Sequence, residues 1–111
     1  MIGVVCLLLV TLGVAAQTAK PAPVSRERAV ELYTTNCQLC HGPNGTGSPL
    51  TAGSAFVGRK WKHGSSQAAV VKTITNGVAN TPMLPFKGKL TPQEISALAS
   101  LVRSFDKKGK K

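Results

Sequence analysis

At 111 residues the chain has room for one domain, and with one Trp, one Tyr and three Phe its side chains alone build only a thin core. Fourteen Lys and Arg against four Asp and Glu leave a formal net charge of +10, which suits acidic protein partners or an anionic membrane surface. The basic residues are scattered and no base-reading motif accompanies them, which speaks against a nucleic-acid partner.

Residues 1–16 form a nearly unbroken apolar run, interrupted by Gly3, Thr11 and Gly13. The run is shorter than the about 20 apolar residues of a membrane span and reads as a secretory signal peptide. Val14-Ala15-Ala16 offers the small residues of a cleavage site, with Ala19 as second choice. No Lys or Arg precedes Lys20, so the positive n-region is missing and an uncleaved membrane anchor stays open. Cleavage would leave an exported, periplasmic-type domain whose only cysteines are Cys37 and Cys40.

Residues 17–24, with Lys20-Pro21-Ala22-Pro23, read as an extended linker, because proline fixes φ and keeps the residue before it out of helix. The domain proper is expected over residues 25–106, with a basic tail at 107–111. Ser25 caps a predicted helix from Arg26 to about Leu39, with Glu27 near its positive end. Ala29, Val30, Tyr33 and Cys37 would form one face and carry Cys37, Cys40 and His41 toward one side. The run from Gly42 to Pro49, dense in Gly and Pro, cannot sustain a helix. A second helix is predicted from Ser65 or Ser66 to Asn76, with Ala69, Val70, Val71 and Ile74 as its apolar side and Gly77 as its stop.

The third helix is the best marked. Thr91-Pro92-Gln93-Glu94 combines a capping threonine, proline at the first helical position and glutamate at the third, a capping box. Leu90 and Ile95 stand at the positions of a hydrophobic staple. Ile95, Leu98, Leu101, Val102 and Phe105 continue as a stripe of helical period. No alternating strand pattern and no internal repeat occurs, so the expected class is all-α, with three to four short helices joined by Gly- and Pro-rich loops.

Cys37-Gln38-Leu39-Cys40-His41 carries the chemistry. Two thiols two residues apart can form a redox disulfide, bind a metal with further ligands, or attach haem. CxxCH is the attachment signature of a c-type haem, and the thin core favours that use, since haem adds a large apolar surface to pack against. His41 would then stand below the iron. For the opposite side, Met83 is the only methionine besides Met1 and His63 the only other histidine. Met83 lies in Thr81-Pro82-Met83-Leu84-Pro85-Phe86, stiffened by two prolines, whereas His63 lies in the polar, basic Trp61-Lys62-His63-Gly64. Methionine is the better candidate.

CxxCH near the N-terminus, a Thr-Pro-Met loop some way downstream and a C-terminal amphipathic helix together resemble a small class I cytochrome c of the bacterial type. The resemblance covers Val24 to Phe105. It implies a cytochrome c-like fold around one covalently bound haem c, thioether bonds from Cys37 and Cys40, His41 as proximal and Met83 as distal iron ligand. It also implies that the first and last helices meet, bringing the Tyr33 face to Leu98 and Phe105. A loop carbonyl, here expected from Pro49, would accept the His41 N–H, and Arg59 and Trp61 resemble residues that meet the haem propionates.

The function so implied is transfer of single electrons, since a six-coordinate His/Met iron has no open position for substrate. The acidic partners would be a dehydrogenase, an oxidase or a reductase. Two alternatives stay open: a haem subunit of a larger dehydrogenase or oxidase complex, and a sensor or enzyme in which Met83 gives way to a small ligand.

Overall fold

Four α-helices and one short 3-10 turn carry the chain from Arg26 to Lys107 in the computed structural model, which describes residues 12–16 and 19–107. Helix α1 (Arg26–Asn36) begins as predicted: Ser25 is extended, and its hydroxyl accepts the Arg28 amide at 3.1 Å. It stops short of the predicted Leu39 because Cys37 leaves helical geometry, at φ −123° and ψ −35°. A separate single turn, α2 (Gln38–His41), follows, and then the 3-10 turn Pro43–Gly45. The buried face of α1 is Ala29, Leu32 and Tyr33, while Val30, predicted on that face, is 45% exposed. At 3.6 residues per turn Leu32 and Tyr33 fall back above Ala29, but its immediate neighbour Val30 is turned away.

Helix α3 (Gln67–Asn76) is capped by the Ser66 hydroxyl, which accepts the Ala69 amide at 3.1 Å, and it buries Val70 and Ile74. Helix α4 (Pro92–Lys107) opens on the predicted capping box. The Thr91 hydroxyl accepts the Glu94 amide at 3.1 Å and the Glu94 carboxylate accepts the Thr91 amide at 2.9 Å. Leu90 packs against the same apolar cluster that buries Ile95, as a staple requires.

α4 is the spine of the core, with α1 and α3 both packed on it. The buried hydrophobic residues all lie on these three helices. Tyr33 meets Phe105 edge to face, 5.1 Å between centroids at 74°, and shares the cluster with Leu98, which is 1% exposed. Among the described residues the extended pairings are two isolated bridges, Ser48 with Thr51 and Lys87 with Leu90, so the architecture is all-α. No helix among them is long and apolar enough to cross a membrane. The expected leader falls mostly on residues 1–11, which lie outside the described residues, as do 17–18 of the linker and 108–111 of the tail.

Candidate haem-attachment site

The break at Cys37 builds the site. The Cys37 amide still donates to the Tyr33 carbonyl at 2.8 Å, and the amides of Cys40 and His41 both return to the Cys37 carbonyl, at 3.2 and 2.9 Å. Two thiols and one imidazole therefore leave the chain within a single turn. Both cysteines are free and half-buried. Burial pushes the Cys37 thiol up to about 11, and the neighbouring Cys40 adds to the rise.

A helix end leaves carbonyls without intrahelical partners, and here the loop that follows supplies them. The Gln38 carbonyl accepts the Gly42 amide and the His41 carbonyl the Gly47 amide, each at 2.8 Å. The Gly42 carbonyl accepts the buried Tyr33 hydroxyl at 2.7 Å. The Cys40 carbonyl lies within bonding reach of the hydroxyls of Thr51 and Ser54.

His41 is held on two sides. Its Nδ1 lies 2.7 Å from the Ser54 carbonyl oxygen, and since a carbonyl only accepts, Nδ1 carries the proton and Nε2 keeps its lone pair. Its ring stacks on Phe56, 4.4 Å between centroids at 19°. The carbonyl expected from Pro49 comes from Ser54 instead. Pro49 is exposed at the corner of the Ser48–Thr51 turn, and the loop comes back to the imidazole only at Ser54. Trp61 spends its indole N–H on the Phe56 carbonyl at 2.8 Å and tilts against the Phe56 ring at 5.4 Å, while Arg59 and His63 are exposed.

The methionine loop is sewn to the end of α3. The amides of Phe86 and Lys87 donate to the carbonyls of Ile74 and Thr75, both at 3.1 Å, and the Val78 amide to the Met83 carbonyl at 3.0 Å. The Thr81 hydroxyl accepts the Met83 amide at 3.2 Å and donates to the Val78 carbonyl at 2.8 Å. Gly77 makes this closure possible. At φ +66° a Cβ there would stand 2.5 Å from the Met83 carbonyl oxygen and 2.8 Å from the Pro85 nitrogen, so a side chain would push the loop off the helix.

Cys37, Phe56, Trp61, Met83 and Phe86 come from separate stretches of chain, and all are half-buried against the helical core. They fit a flat, apolar, iron-bearing group. Two free thiols suit thioether attachment, an imidazole with a free Nε2 suits the iron, and each of these half-covered apolar side chains gains about 25 cal/mol for each Å² the group would cover. Among the described residues no group of three or more His, Cys, Asp and Glu is disposed to hold a metal ion.

Thr51, Ser54 and Phe56 escape sequence reasoning. Hydroxyls and one Phe in a Gly-rich loop match no motif, and their use depends on where the chain turns back.

Over residues 25–102 the chain matches the family described as cytochrome C oxidase, cbb3-type, subunit III. It is 36% identical, over 75 residues and 68% of its length, to the cbb3-type cytochrome c oxidase subunit FixP of Bradyrhizobium sp. (strain ORS 278). It is 34% identical over 84 residues to subunit CcoP of Azospirillum brasilense. The chain spans 26% and 28% of those two relatives, about a quarter of their length. Among solved structures, the KustC0563 c-type cytochrome superposes with a TM-score of 0.61 at 33% identity, covering 70% of this chain and 96% of that one. Cytochrome c6 of the diatom Phaeodactylum tricornutum, at 20% identity and a TM-score of 0.61 over 78% of this chain and 99% of that one, shares the fold.

Proposed function

From the premise that this chain belongs to the family of cytochrome c oxidase, cbb3-type, subunit III, and with its c-type cytochrome relatives carries covalently bound haem c, we propose that it is an exported one-electron carrier domain with His41 and Met83 as axial iron ligands. When bound, haem supplies a one-electron couple at iron, with a potential that axial ligands tune across about 0.8 V. Cys37 and Cys40 would provide the thioether sulfurs. His41 would offer Nε2 and Met83 its thioether sulfur to the iron, and Phe56, Trp61 and Phe86 supply half-buried apolar surface.

The observation that carries this reading is the His41 ring, locked by Ser54 and Phe56 with Nε2 free, in the same turn as two free thiols. The segment around Met83 argues against a small-ligand sensor or enzyme, since Thr81-Pro82-Met83-Leu84-Pro85-Phe86 holds no acid, arginine or histidine to assist such chemistry. The relatives favour the reading of the domain as a haem subunit of an oxidase complex, since they are named as subunits of cbb3-type cytochrome c oxidases. The electron partners are then components of such a complex, reached through acidic surfaces.

The ferric holoprotein should show the weak far-red absorption band of thioether-ligated haem, and Met83→Ala should lose it while keeping covalently attached haem. A wild-type protein with attached haem and no such band would remove Met83 from the ligand set.

A further inference from the structure

Resting on the assignment of His41 as an axial ligand, we infer that Thr51 and Ser54 form a paired positioning device that sets how strongly His41 donates to iron, and with it the reduction potential. Ser54 works on two sides at once. Its carbonyl takes the Nδ1 proton of His41 at 2.7 Å, and its hydroxyl lies 2.5 Å from the Cys40 carbonyl and 2.8 Å from the Thr51 carbonyl. The Thr51 hydroxyl reaches the same Cys40 carbonyl and lies 3.0 Å from the Ser54 hydroxyl.

Each hydroxyl has one proton to give. Thr51 can give it to the Cys40 carbonyl or to the Ser54 hydroxyl, and Ser54 to the Cys40 carbonyl or to the Thr51 carbonyl. Three of the four combinations bond the Cys40 carbonyl, and the fourth ties Thr51 and Ser54 to each other. Thr51 and Ser54 are half-buried, so water competes poorly for these bonds.

The lock fixes the Ser54 peptide against the Cys40 peptide, and the His41 backbone begins at the latter. Nδ1 and its acceptor are thereby referenced to one rigid turn. A carbonyl bonded to the outer N–H of a ligating imidazole raises the basicity of its other nitrogen. A slack loop weakens that bond, makes Nε2 a poorer donor, and disfavours the ferric state relative to the ferrous.

Thr51→Val, Ser54→Ala and their combination, with Ser54→Thr as the conservative variant, test this in the holoprotein. The midpoint potential should rise in each single variant and most in the double, and stay at the wild-type value in Ser54→Thr. Deuterium exchange of the His41 Nδ1 proton, followed by NMR, should speed roughly five- to tenfold in the double variant, the ratio that the loss of one net hydrogen bond gives. Wild-type potential and exchange in the double variant overturn the inference. If the double variant does not fold, wild-type values in both single variants overturn it equally. A wild-type protein whose His41 ring signals lack the large shifts of an iron ligand overturns the ligand assignment instead, so the two failures appear in different samples.

Discussion

Tyr33 joins the core to the attachment turn through one side chain. Its ring packs on Phe105, and its hydroxyl donates to the carbonyl of Gly42, the residue after His41. Tyr33→Phe keeps the ring and leaves that carbonyl unpaired, a loss of about 1 kcal/mol that a lowered urea midpoint would register. The pH dependence carries a further signature. Burial pushes the Tyr33 phenol up from 10.0 to about 12. A group whose pKa is higher folded than unfolded stabilises fully below its unfolded value and ceases to as pH climbs through its folded one. Wild-type stability should therefore fall between pH 10 and about 12 with a component that Tyr33→Phe lacks, visible in unfolding midpoints measured along that range. An identical alkaline slope in both proteins would contradict the assignment. The ring partner of Tyr33 followed from the family resemblance, which implied that the first and last helices meet, but the partner of its hydroxyl did not, because it depends on how the chain turns at Cys37.

At the level of elements, the helix starts were written in local chemistry. Ser25, Ser66 and Thr91 each accept an amide three residues on; Ser25 and Thr91 were expected as caps, while the second start was left between Ser65 and Ser66. Thr91→Ala should cost about 1 kcal/mol of stability in chemical unfolding, with the attached haem unchanged. Its reciprocal partner Glu94 does more than close the box. Its carboxylate also takes Arg28 of α1 at 3.2 Å, and the bond from the Thr91 amide holds it below the usual carboxylate range. Helix ends were less legible. The first helix breaks at Cys37, where nothing in the residue types demands a stop, and the turn that follows meets the loop just after it, at Thr51, Ser54 and Phe56. Met83 is proposed on scarcity, since one internal methionine left little choice. Ser54 was missed for the opposite reason, as one hydroxyl residue among many.

Across the whole molecule, charge is segregated along the chain. Residues 32–58 hold no Lys, Arg, Asp or Glu, while residues 59–89 hold Arg59, Lys60, Lys62, Lys72, Lys87 and Lys89 and no acid. All six of those cations are exposed. Three of the four acids, Glu27, Glu31 and Glu94, sit on α1 or the first turn of α4. The stretch holding α3 and Met83 thus carries six cations and no acid, although eight further Lys and Arg lie elsewhere in the chain. Electron transfer to the acidic oxidase component proposed above as partner should slow steeply as salt rises, because the screening length falls from about 8 Å at physiological ionic strength to about 3 Å at 1 M. Stopped-flow rates that stay flat over that range would leave this charge without a docking role. The packing of the first helix on the last sets a timetable as well. Five of the ten buried core residues, Ile95, Leu98, Ala99, Leu101 and Val102, belong to α4, so a growing chain that has not reached them can bury little of α1 or α3. Contacts between distant segments form late, after the loop between them has closed. Cys37 packs on that same core, so its cover is complete only once the final helix has docked, and under the function proposed above haem attachment would come before that closure.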